Sequence, residues 1–365
     1  MTENQRIINE IKYLGLPVFI WGNGELAGLT QTLLESNGIH VEGRVINIPL
    51  ENNGEKIFSK EELNQKTDSY ILMKAFLRAM ILSEEVVKKT FGEKCIRSYA
   101  LSELYSCWGI EKIDAMYARE HRMDFQEVYE TLEDDLSKEC LRAFLNAKIE
   151  EKSSHLYPYI VTPQYFFKNK IWRFEPDEIL FDAGAFDGDS IRDFLTAAES
   201  QYKRIIACEP DKKNMEKLQE FIRITNLKNI NTVCKGLGDG QKILKYKSTG
   251  TMISTIDEDG KEEIQVDSID NILNDAPVTI IKMDIEGYEK EALLGAKQTI
   301  QKYNPMLFIS AYHKKDDLFS IQRMIKSFSE EYRFFFRIHK PLAIDAVLYA
   351  VPEYRLKARN KNVGF

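Results

Sequence analysis

Apolar residues recur along this chain with two different periods. Short apolar runs of strand length fall at 18–21, 41–46, 70–73 and 95–99. A helical pattern follows the first run to about Ser36, where Asn37-Gly38 stops it, and another helix is predicted near 84–90. A polar stretch with Asn52, Asn53 and Gly54 separates the second and third runs. Alternating strands and helices predict a parallel sheet with helices on its faces, here a small Rossmann-like α/β domain over residues 1–102. Over 103–157 the period becomes helical. Phe125, Val128, Tyr129 and Leu132 fall at i, i+3, i+4 and i+7, and Leu136, Cys140, Leu141, Phe144 and Leu145 form a second stripe after the N-cap signal Asp134-Asp135. This reads as a helical connector that ends at Pro158 and Pro163.

A larger sheet is predicted from Ile179, within a third unit over 158–365. Its strands are expected at 179–183, 204–208, 230–235, 278–284 and 306–312, with helices after the first, second and fourth. A hairpin of 333–339 and 345–351 closes it, and short β-like runs at 243–247 and 263–266 interrupt it.

Residues 278–291, VTIIKMDIEGYEKE, are the most constrained stretch. Lys282, Asp284 and Glu286 are spaced by two, so a strand places them on one face, with Ile281, Met283 and Ile285 on the other. Gly287 ends the strand, and a helix is predicted over 288–303. Charges at the carboxyl end of an apolar strand are costly to bury unless paired or used, and ligands of open α/β sheets bind at that end. The bland reading of the cluster is an ion network tying strand to helix.

Two further strand ends carry chemistry. FDAGAFDGDS (181–190) places Asp182 before a glycine turn that opens a helix. ACEP (207–210) places Glu209 at the next strand tip, where one carboxylate can accept both hydroxyls of a ribose. The turn is not GxGxxG, and the charges of Asp182 and Asp187 would repel a pyrophosphate. A cationic, phosphate-free nucleoside such as S-adenosylmethionine suits it better. The structural alternative makes Asp182 a buried cap on the glycine turn.

Composition narrows the classes. The chain has 365 residues, 44% hydrophobic and 29% charged, with a net charge of −7 and no dense basic stripe. That profile describes a globular protein and argues against a nucleic-acid partner. Its five cysteines are scattered without a CxxC pair, and its five histidines lack metal-site spacing. No export signal is evident in MTENQRIINEIKY, and no apolar run is long enough to span a membrane, so a cytoplasmic protein is expected. The amino-terminal GNGELAG (22–28) resembles a nucleotide-binding turn, but the next strand ends in Val45-Ile46-Asn47 with no acid for a ribose. That first unit is expected to bind acceptor or a nucleotide-sugar, or to mediate a homodimer.

FDAGAFDGDS, ACEPDKKN and IKMDIEGYEKEALLGA, in this order, resemble the FkbM family of S-adenosylmethionine-dependent methyltransferases. PQYFF (163–167), ISAYHKKDDL (309–318) and RIHKPLAIDAVLYAV (337–351) are similar to its bacterial members as well. The resemblance covers roughly 160–352. It implies the class I methyltransferase fold, a seven-stranded sheet with an antiparallel final hairpin, and S-adenosyl-L-methionine as cofactor. It also implies O-methylation of a sugar or glycan-related acceptor. The residues implied for the cofactor are Asp182, Gly184, Ala185, Gly188, Glu209, Pro210, Gly238, Asp239 and Asp284. Asp284 and His313 are the candidate bases, Lys282 pairs with Asp284 or Glu286, and Glu286 and His339 face the acceptor. No metal is expected, because Lys282 competes for the carboxylates and no Asp-Asn pair follows the strand. Methylation of nitrogen or carbon stays open, as does a noncatalytic module that binds a nucleotide-sugar or partner.

Overall fold

The computed structural model describes residues 1–46, 57–102, 104, 110–247, 255–256 and 262–357. Asn47, the polar stretch at Asn52, Asn53 and Gly54, and Cys107 lie outside them. The first sheet contains β1 (Val18–Trp21), β2 (Val41–Val45), β3 (Ile57–Phe58), β4 (Tyr70–Lys74) and β5 (Cys95–Tyr99). All are parallel, in the order β3-β2-β1-β4-β5. β1 and β4 are buried along their whole length, as central strands covered on both faces must be. A helix at Glu3–Leu14, absent from the sequence reading, buries Ile7, Ile8 and Ile11 against this unit. Its side chain Asn4 accepts the backbone N–H of Ser102 at 2.9 Å.

The connector helices are Ala115–Glu120, Arg122–Thr131 and Asp135–Glu150. Asp134 is the N-cap of the third and accepts the Ser137 N–H at 2.8 Å. The same carboxylate receives two bonds from Arg337, at 3.2 and 2.6 Å, and Arg337 is only 3% exposed on its side chain. A helix cap and a buried guanidinium thus lock the connector onto the last hairpin.

The remaining strands are β6 (Ile179–Ala183), β7 (Arg204–Cys208), β8 (Ile230–Val233), β9 (Gly236–Leu237), β10 (Lys242–Lys247), β11 (Thr255–Ile256), β12 (Glu262–Asp267), β13 (Ile280–Met283), β14 (Met306–Ser310), β15 (Tyr332–Ile338) and β16 (Ala346–Pro352). β9 to β12 make a separate four-stranded sheet. The other seven form one sheet in the order β15-β16-β14-β13-β6-β7-β8, where β16 runs antiparallel to both neighbours and the rest are parallel. This is the seven-stranded class I arrangement. Alternation sorts its side chains into two cores. Phe181, Ile281, Met283 and Leu307 pack with connector residues Leu141 and Phe144, while Leu180, Ile280, Phe308 and Tyr349 pack under Phe166 and Trp172.

Beyond short elements such as β3 and the helix Ile269–Leu273, two longer ones differ from the expected pattern. A helix at Asp317–Phe328 follows β14 and buries Leu318, Ile321 and Ile325, a stripe that sequence reading passed over after the polar KKDD. The helix expected over 288–303 is two, Glu289–Leu294 and Lys297–Tyr303. Gly295 sits at the break, where a Cβ would lie 2.0 Å from the Gly238 carbonyl oxygen, so only glycine allows that approach.

A second glycine fixes the centre of the large sheet. Gly184, just after β6, has φ +78°, and a Cβ there would lie 1.9 Å from the carbonyl oxygen of Asp284, just after β13. Gly184→Ala is therefore expected to lose ~1–2 kcal/mol from its left-handed backbone alone, with the collision adding to it, read as a lowered melting temperature. Asp134→Ala should cost ~3–5 kcal/mol in chemical denaturation, because it strands the buried Arg337 charge.

Candidate active site

Strand order reverses between β6 and β13, and a cleft opens outside the carboxyl ends of the strands there, as switch-point geometry dictates. Counted out to solvent it measures about 1300 Å³.

Lys282 and Asp182 are register partners on β13 and β6, on the face of the sheet that also carries Phe308. Their ion pair is 3.0 Å long, with side chains 3% and 0% exposed. The ammonium also donates to the carbonyls of Gly184, at 2.6 Å, and Ala183, at 3.3 Å. Burial pulls the Lys282 pKa down, but the charges of Asp182, Asp284 and Asp189 outweigh it and hold it above the usual lysine value. Lys282 therefore pairs with Asp182, not with Asp284 or Glu286 as the sequence reading expected. Asp182 itself does not line the cleft. It accepts the Ser190 hydroxyl at 2.5 Å and supports the cleft from below.

Asp284 stands in the cleft wall. Tyr165 donates to its Oδ2 at 2.7 Å and Tyr312 to its Oδ1 at 3.2 Å, and Tyr165 also shares a 2.8 Å bond with Ser310. Burial pushes the Asp284 pKa up, but His313, Lys282 and the Tyr165 phenol bring it below the usual carboxylate value. The carboxylate is ionised and aimed. Glu286 lies past the end of β13 in a left-handed conformation, φ +55°, so strand alternation does not place it. It lines the cleft all the same, and burial leads in raising its pKa.

His313 is absent from the cleft wall. Its side chain is 2% exposed and stands behind the two carboxylates, with Nε2 3.7 Å from Asp284 Oδ1 and 3.5 Å from Glu286 Oε2. Nδ1 is 3.1 Å from Glu289 Oε1. Burial lowers its pKa, yet Glu289 and Glu286 drive it well above the ordinary histidine value. Behind the carboxylates it has no open path to an acceptor.

Glu209 and Pro210 line the cleft at the end of β7, as does Gly184. Glu209 Oε2 accepts the Phe186 N–H at 3.0 Å and Oε1 the Asp211 N–H at 2.9 Å. Burial nevertheless dominates and raises its pKa to about 7. Ala185 and Gly188 are packed beneath the turn, where a Cβ on Gly188 would strike Phe221. The wall near the third strand is made by Lys235, Gly236 and Leu237 rather than Gly238 and Asp239, and Asp239 is engaged with Lys242 at 2.7 Å.

His339 does not reach the cleft either, contrary to its expected place beside the acceptor. It is wedged between the Val161 carbonyl, 2.6 Å from Nδ1, and the Tyr349 hydroxyl, 2.8 Å from Nε2. Burial takes its pKa to about 4, so it is a neutral scaffold residue. Tyr165, Ser310 and Tyr312 were missed as individual residues, although PQYFF and ISAYH had marked their segments. Only tertiary packing brings the three phenol and hydroxyl groups onto one carboxylate.

A cluster of Asp284, Glu286 and His313 and a deeper one of Glu289, His313 and Asp317 have ligand atoms close enough together to hold a metal ion.

The chain is similar over 96% of its length, and over 94% of the other, to the crystal structure of methyltransferase FkbM from Methylobacillus flagellatus KT, with a TM-score of 0.68 and 23% identity. At that identity the likeness speaks for the fold. An rRNA methylase from Streptococcus thermophilus matches 49% of this chain and 87% of its own at 12% identity and a TM-score of 0.32. Aeropyrum pernix fibrillarin with natively bound S-adenosyl-L-methionine matches 48% and 67% at 14% identity and 0.30. Neither of these two likenesses carries weight here. No curated protein matches the sequence. The profile of the methyltransferase FkbM domain matches residues 182–336, from the first charged strand end into the last hairpin, and this part of the chain is similar to that domain.

Proposed function

We propose that this protein uses S-adenosyl-L-methionine to methylate a hydroxyl oxygen of a sugar or glycan-related metabolite in the cytoplasm. The domain follows a Rossmann-like unit (1–102) and a helical connector (103–157). The observation that carries the reading is the placing of Glu209 and Asp284 on either side of Gly184 in one switch-point cleft.

The residues fit the cofactor on two counts. Asp189, Asp193, Glu209, Asp284, Glu286 and Asp345 line the cleft against Lys235, Lys282 and Lys340, so acids outnumber bases two to one and favour a cation. Gln164, also in the wall, has a buried Nε2 with no hydrogen-bond partner among the described residues, a donor suited to a ligand carboxylate. Bound there, S-adenosyl-L-methionine supplies a methyl group on a sulfonium leaving group.

The protein's own part is alignment and proton handling. Each Glu209 oxygen holds one backbone N–H and keeps lone-pair capacity for the ribose hydroxyls. Asp284, fixed by two phenols, receives the acceptor hydroxyl and takes its proton as the O–CH₃ bond forms and the S–CH₃ bond breaks. Its low pKa suits late proton transfer. Lys282 is a positioning residue, since its ammonium ties the Gly184 turn to β13. His313 supports the carboxylates from behind.

Calorimetric titration with S-adenosylhomocysteine tests the reading directly, and a well-folded protein that does not bind it would end the proposal. A ribose donates to the ionised form of Glu209, so affinity should rise with pH through about 7, by roughly tenfold between pH 6 and 8. Glu209→Gln should weaken binding and flatten that profile. Asp284→Asn should cut turnover by ~10²–10⁴-fold while cofactor affinity changes little, as measured with a competent acceptor.

A further inference from the structure

The side chains around His313 form an arrangement that methyl transfer by itself does not require. Asp284 and Glu286 face the cleft with side chains 20% and 22% exposed, and His313 backs them at 2%. Neither ring nitrogen has a hydrogen-bond partner of good alignment. The Nε2 contacts of 3.5 Å to Glu286 Oε2 and 3.7 Å to Asp284 Oδ1 are too long for hydrogen bonds. They approach the spacing of two ligands on one ion. With metal–ligand bonds of ~2.1 Å, neighbouring ligand atoms are separated by ~3.0–3.4 Å.

The other side of the ring completes the pattern. Nδ1 lies 3.1 Å from Oε1 of Glu289, a carboxylate 1% exposed that is itself fixed by the Ile285 N–H at 2.9 Å. A carboxylate behind the distal nitrogen is what orients a metal-ligating imidazole and fixes its tautomer. With Nδ1 turned to Glu289, the Nε2 position faces two carboxylates across a gap.

The sequence argument against a metal was competition from Lys282. In the fold that ammonium is ion-paired with Asp182 Oδ1 at 3.0 Å and donates to the carbonyls of Gly184 and Ala183. The competitor points elsewhere.

We propose that Asp284, Glu286 and His313 form a divalent-cation site in the cleft floor, with Glu289 orienting His313. One imidazole and two carboxylates suit Mn²⁺ or Zn²⁺ better than Mg²⁺, which prefers oxygen alone. The ion enters from the cleft through the two carboxylates, and its remaining positions face the cleft. There it would bind the acceptor oxygen and ease its deprotonation. This last role rests on the methyltransferase reading, whereas the site itself rests on geometry.

The test uses the full chain, stripped with a chelator, desalted and titrated with Mn²⁺ while free Mn²⁺ is followed by electron paramagnetic resonance. Zn²⁺ is added as competitor. The expected result is one Mn²⁺ per chain, displaced by Zn²⁺. Glu286→Gln, at a partly exposed side chain, and His313→Gln should each weaken binding at least tenfold, and Glu289→Gln by ~10–100-fold. Circular dichroism and S-adenosylhomocysteine titration on the same samples separate lost metal binding from lost fold. Absence of Mn²⁺ and Zn²⁺ binding up to millimolar ion, or an affinity unchanged in both folded Glu286→Gln and His313→Gln, would overturn the site. Mn²⁺ binding without S-adenosylhomocysteine binding would leave the site standing and remove the methyltransferase reading instead.

Discussion

Taking an ammonium and a carboxylate out of water carries a penalty of several kcal/mol for each ion, and this chain does so at the middle of its main sheet. Lys282 and Asp182 meet where β13 and β6 run side by side, and their pair is repaid only because the geometry is tight and further bonds complete it. The ammonium's remaining donors go to the carbonyls of the turn that follows β6. The turn can lie there because Gly184 has no side chain to strike the Asp284 carbonyl. The position of the cleft, the exit direction of β13 and the aim of Asp284 all depend on this one stitched contact.

Above it the cleft concentrates negative charge. Asp284 is held by Tyr165 and Tyr312, Glu209 by two backbone N–H groups, and Glu286 by a turn in the left-handed region. Each device keeps an acid in place at the cleft. Such a charge pattern suits the proposed cationic cofactor, and His313 behind two of the acids suits the proposed metal ion. Of the three lysines in the cleft wall, Lys282 is the buried one, and there it shapes the site.

Much of the fold could be read from periodicity. Apart from the short β3, the strands of both large sheets, the connector stripe from Leu136 to Leu145 and the Asp134 cap lie where apolar spacing and cap chemistry place them. Errors arose where local pattern is ambiguous. The chain after Tyr288 has one helical period, but Gly295 divides it because the Gly238 segment passes within reach. The stripe of Leu318, Ile321 and Ile325 was legible in principle and was hidden by the charged residues before it.

The sequence alone determined which strand ends and turns meet at the cleft, because carboxylates after apolar strands and a glycine turn between them are local features. It could not determine how those charges pair. Strand alternation puts Lys282 near Asp284, yet the parallel register across β6 and β13 hands the lysine to Asp182. It also could not separate His313 from His339, two histidines after strands. Packing buries one against three carboxylates and the other between a carbonyl and a phenol, and those neighbours come from segments far apart in the chain. Ion pairing and proton occupancy follow distances across strands, and only the tertiary structure sets those.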